Sequence, residues 1–132
     1  FMNNSVVVYV KSNNKNMVNT TKDNKISDKP VVILINGNTA SSCEVFAGAM
    51  KDNKRAVLIG TKSFGKGIIQ QINKLKDDSG INITVMSYTT PNGIDINKNG
   101  IAPDIIVYFS KKDIVFKNDV QIKRAINYLK SL

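Results

Sequence analysis

Val31-Val32-Ile33-Leu34-Ile35-Asn36-Gly37-Asn38-Thr39-Ala40-Ser41-Ser42-Cys43-Glu44 runs from a block of apolar residues through a polar turn to a serine and a glutamate. Five consecutive apolar residues behind Pro30 predict a strand buried on both faces, as in a parallel sheet covered by helices. Proline is tolerated at a strand's first position. After Ser41 the spacing turns helical: Val45, Phe46, Ala49 and Met50 fall on one predicted face. Ala56 to Gly60 is the next apolar segment, so the unit reads strand–helix–strand.

Upstream, Ser5 to Val10 is a β-branched run and predicts a strand. Lys11 to Lys29 is a polar excursion with a hairpin through Met17-Val18. Downstream, Gly67 to Tyr88 reads strand, turn, strand, with Lys76 to Gly80 as the turn and Ile81, Ile83 and Val85 as a half-buried face. At the end, Asn118 and Gln121 are candidate caps for a helix whose Ile122, Ala125, Ile126 and Leu129 form an apolar stripe. The reading is α/β, one domain over 1–132, with neither internal repeats nor a boundary.

Composition narrows the chemistry. The net charge is +9, yet the lysines are scattered and no basic block is interleaved with aromatics, so no nucleic-acid partner is expected. The apolar runs are far too short to span a bilayer, and no membrane insertion is expected. One cysteine excludes an internal disulfide, and with no histidine beside it no zinc site is expected. Asp95 to Gly100 matches the first half of a calcium loop. Its twelfth position is Ile106 where a bidentate glutamate belongs, so it reads as a turn and no metal or cofactor is expected. Cys43 reads as a small buried hydrophobe.

Ser41 has two readings from its position alone. A serine at a strand-to-helix junction is an N-cap, and Ser41 with Glu44 has the spacing of a capping box. The same place suits a nucleophile, because helix N–H groups, that of Ser42 first, can stabilise an oxyanion. Without histidine, serine chemistry here needs a lysine base. Lys66 stands between Gly65 and Gly67, where little bulk surrounds the amine. A lysine serves as a base only if its pKa falls from about 10.4 toward neutrality. If Lys66 to Gln70 is extended, Gln70 shares a face with Lys66 and can hold its amine without adding charge. The plain alternative for Lys66 is an exposed turn lysine.

Taken together, these segments resemble the C-terminal processing, or tail-specific, protease family. Asn36 to Glu44 resembles its Asn-x-x-Ser-Ala-Ser-Ala-Ser-Glu motif, with Thr39, Ser42 and Cys43 substituted. Ser63 to Gln70 resembles Thr-Phe-Gly-Lys-Gly-x-x-Gln. Tyr88 to Gly93 and Gly100 to Asp104 resemble Tyr-x-Thr-Pro-x-Gly and Gly-Ile-x-Pro-Asp. Asp119 to Ile122 resembles the start of the family's closing helix. The resemblance implies a crotonase-like or Clp-protease-like core, with Ser41 as nucleophile, Lys66 as general base, Gln70 as its support and the Ser42 N–H in the oxyanion hole. It also implies an extended protein or peptide substrate, cleaved near its C-terminal tail, and an extracytoplasmic bacterial enzyme. The family's Asp-Leu-Arg-x-Asn-x-Gly-Gly segment and PDZ domain have no counterpart here. The expectation is therefore a partial catalytic core, inactive by itself if that segment is required. Retinoid-binding repeats resemble the same core, so a non-catalytic binding module for apolar ligands or peptides is the alternative.

Overall fold

The computed structural model describes residues 1–12, 15–22, 25–115 and 118–132. In chain order it holds β1 (Val6–Lys11), β2 (Asn16–Thr20), β3 (Val32–Ile35), α1 (Ser42–Asp52), β4 (Val57–Gly60), β5 (Ile68–Lys74), β6 (Gly80–Thr89), β7 (Ile105–Ile106), α2 (Lys111–Val115) and α3 (Val120–Lys130). Two sheets result. One is antiparallel with strand order β2-β1-β6-β5, and the other is β3-β4-β7, with both of its pairings parallel.

The strand–helix–strand unit forms as its pattern predicts. β3 and β4 pair in parallel from Val32 opposite Val57 to Ile35 opposite Gly60, and α1 is the crossover. α1 packs on β1 and β4, and α3 packs on β3 and β4. Val8 and Val10 of β1, Ile35, Ala47, Leu58 and Tyr88 join Ile96 and Ile101 in one buried cluster. The core therefore lies where α1 bridges the two sheets.

Several faces differ from the sequence reading. β3 is an edge strand, and Leu34 is 38% exposed, so it is not buried on both faces. α1 turns Glu44, Ala47, Gly48, Ala49 and Met50 inward and leaves Phe46 exposed, because β1 packs on the small-residue side of the helix. Cys43 is exposed, not buried. Met17 and Val18 lie inside β2, paired antiparallel with Val10 and Tyr9 of β1. The β5–β6 ribbon runs beyond its neighbours: β1 pairs only with Ser87 to Thr89 of β6, which leaves Ile81 and Ile83 exposed.

The last helix starts one residue later than expected. Asp119 is its N-cap, accepting from the Ile122 N–H at 2.8 Å. It is also rotated: Gln121 and Ala125 are buried, and Ile122, Ile126 and Leu129 are exposed. The Gln121 amide explains this, since it donates to the Val107 carbonyl at 2.9 Å and turns that side inward. Residues 95–100 form a turn closed by the Asn97 N–H on the Asp95 carboxylate.

Candidate active site

Between β3 and α1 the chain makes a tight polar turn. The Thr39 N–H donates to the Asn36 carbonyl, and the Asn38 N–H donates to the Asn36 side chain, both at 2.9 Å. The turn delivers Ser41, the residue before α1, with φ 56° and ψ −120°. That region is normally left to glycine, and a serine held there signals a position over-determined by its surroundings. The next residue, Ser42, opens α1 and is exposed. Its N–H makes no hydrogen bond among the described residues, so it is an open donor at the positive end of the helix.

Glu44 fixes what surrounds Ser41. Its side chain is fully buried, and all four of its bonds come from neutral donors. Oε2 accepts from the Ser41 N–H at 2.9 Å and the Lys66 N–H at 2.8 Å. Oε1 accepts from the Gly65 N–H at 2.7 Å and from the Ser63 hydroxyl. A buried carboxylate is tolerable only when its lone pairs are satisfied in this way. Ser63, itself buried, also accepts from the Ile101 N–H at 2.6 Å. One carboxylate thus ties the start of α1 to the lysine loop and, through Ser63, to the segment after Gly100.

The loop carrying Lys66 can lie this close because of its glycines. A Cβ on Gly67 would stand 2.3 Å from the Asn97 nitrogen, so only glycine passes there. Gly65 has φ 94°, a second position suited to glycine. Lys66 is exposed at the surface between them. Its amine makes no hydrogen bond to the Ser41 hydroxyl, and the Gln70 amide, also exposed, makes none to Lys66. The structure brings Ser41 and Lys66 together through their backbones, and does not bring Gln70 onto the amine.

Tyr88, near the end of β6, closes the arrangement. Its N–H donates to the Gly67 carbonyl at 3.0 Å and its hydroxyl donates to the Lys66 carbonyl. Burial pushes the phenol above its ordinary value; a hydrogen bond with the Ser41 side chain acts the other way, and the Glu44 charge adds to the rise. A cavity of about 280 Å³ opens here, lined by Val8, Val10, Asn19, Ser41, Ser42, Val45, Ile69 and Tyr88. It is mostly apolar. No group of three or more His, Cys, Asp or Glu side chains able to hold a metal occurs among the described residues.

Glu44 and Tyr88 are the parts that sequence reasoning missed. The S-x-x-E spacing gave Glu44 a capping role but no hint of its bonds to residues 63–66. Tyr88 was visible only as one letter of a resembling motif.

Residues 1–107, which hold every group just described, match the profile of peptidase family S41. The chain belongs to peptidase family S41. A carboxyl-terminal-processing protease of Synechocystis sp. is 44% identical over 113 residues, covering 83% of this S41 chain and 26% of the relative. The carboxy-terminal-processing protease of Bartonella bacilliformis is 41% identical over 111 residues, covering 81% and 25%. Among solved structures, the photosystem II D1 C-terminal processing protease superposes with a TM-score of 0.74 at 40% identity, covering 81% of this chain and 28% of that one. A lipoprotein from Streptococcus agalactiae shares the fold at 17% identity, with a TM-score of 0.73. The S41 chain spans about a quarter of the length of the first of these relatives. Its mixed α/β core is that of S41 protease domains.

Proposed function

We propose that this S41 chain carries the nucleophile and base of a serine endopeptidase that cleaves protein substrates near their C-terminal tails. The observation that carries the reading is the shared acceptor: Ser41 and Lys66 donate their N–H groups to one oxygen of Glu44. The relatives' names as C-terminal processing proteases agree with it.

In this reading neutral Lys66 takes the Ser41 proton as the hydroxyl oxygen attacks the scissile carbonyl. The Ser42 N–H donates to the developing oxyanion, and such a donor is worth about 2.7–4 kcal/mol in the transition state. Lys66 passes its proton to the leaving amine, and water then resolves the acyl-enzyme by the same steps. Rotation of its side chain brings the Lys66 amine to Ser41, and Gln70 steadies the amine there. The substrate lies extended, bonded through its main chain to a strand of the core. The same reading places the enzyme outside the bacterial cytoplasm. No described helix is long and apolar enough to cross a membrane.

The test is cleavage of a protein substrate by the full-length protein carrying Ser41→Ala or Lys66→Ala. Each substitution is expected to abolish turnover, and full activity in either overturns the assignment.

A further inference from the structure

Lys66 sits between two glycines, and glycine loosens a backbone. A base held by such a loop would wander unless something else fixed it. The Lys66 N–H is held by Glu44. Its carbonyl is held by the Tyr88 hydroxyl, and the next carbonyl, that of Gly67, by the Tyr88 N–H. Tyr88 is itself packed in place: it is 5% exposed, and it sits in β6 opposite Val10 of β1.

We propose that Tyr88 is a positioning residue for the Ser41–Lys66 pair, its hydroxyl fixing the lysine backbone while its side chain lines the same recess as Ser41. The inference rests on the Ser–Lys reading and extends it. The phenol donates to the Lys66 carbonyl, interacts with the Ser41 side chain and feels the charge of Glu44. Because its proton is engaged with a carbonyl, the phenol orients and does not act as an acid. With the lysine's peptide gripped at both N–H and C=O, only side-chain torsions remain free. Reaction then depends on a short torsional search, not on loop motion. Displacement of a reacting group by about 1 Å can lower a rate 100-fold, so the phenol's effect belongs in turnover.

The experiment is Tyr88→Phe in the full-length protein, followed by melting temperature, kcat, KM and the pH profile of kcat/KM on a peptide substrate. The expected result is a folded protein with kcat reduced at least tenfold, KM within twofold, and a shifted pH limb. A folded variant with unchanged kcat and pH profile overturns the proposal. If Tyr88→Phe does not fold, 3,5-difluorotyrosine at position 88 replaces it, because the acidified phenol loses its donated proton at lower pH. The alkaline limb of kcat must then move down in pH, and an unmoved limb overturns the proposal. Parallel Ser41→Ala and Lys66→Ala measurements separate the two failures. If both are dead and Tyr88→Phe is normal, the dyad stands and the phenol's role falls; if either is active, both readings fall.

Discussion

Ser41 and Lys66 are hydrogen-bonded to the same atom, Oε2 of Glu44, so their backbone nitrogens can lie no farther apart than those two bonds laid end to end. The two residues are distant in sequence and lie in different loops, one before α1 and one before β5. Their register is set by a side chain that belongs to neither loop.

Glu44→Gln is therefore not a conservative change. The new amide presents NH₂ where two donors converge, whichever way it turns. A bond to a charged acceptor contributes about 1.5–3 kcal/mol, so stability is expected to fall by at least the value of one such bond. Urea unfolding of the two proteins measures it, and an unchanged midpoint would sink the clamp.

Gly67→Ala tests the close approach of the lysine loop to Asn97. The added Cβ meets backbone at 2.3 Å, so either the loop or residues 96–97 must move. Overpacking of this kind costs about 1–3 kcal/mol. Activity is expected to fall further than stability does, because the displaced loop carries Lys66. Paired melting and turnover measurements separate the two.

Tyr88 gives the fold an alkaline weakness. Its phenol pKa is raised from the ordinary value of 10.0 by burial, so the folded state keeps the proton to higher pH than the unfolded chain does. The group's contribution to stability is constant below about pH 10 and declines as pH climbs through the raised folded value. Denaturation curves from pH 9 to 12 should show a shallower loss in Tyr88→Phe than in the parent; equal slopes would count against the buried phenol.

Cys43 is exposed on α1 beside Ser42, in a recess of about 520 Å³ that it shares with Leu34 and Phe46. A maleimide is expected to label it fully without denaturant, as mass spectrometry would show. Cys43→Ala should leave stability within about 0.5 kcal/mol, as surface changes usually do.

The strand–helix–strand unit was legible because its signals are local: an unbroken apolar run, a turn, a helical spacing and a second run. The faces of α1 and α3 were not, because a helix's rotation is chosen by what packs on it. The bond from Gln121 to Val107 outweighed the stripe of Ile122, Ile126 and Leu129. Ser41 and Lys66 stood out through motif resemblance and the missing histidine. The Glu44 and Tyr88 clamps escaped because each joins segments that only the fold makes neighbours.

Ser41's backbone has a further consequence for which alcohols the site can accept. At φ 56° and ψ −120°, a β-branched side chain is a worse fit than serine. Threonine, the nearest chemical substitute for serine, is thus disfavoured there by conformation. Glycine relieves this backbone but gives up the hydroxyl's capping bond to the start of α1, so the melting temperature of Ser41→Gly measures which of the two is the larger.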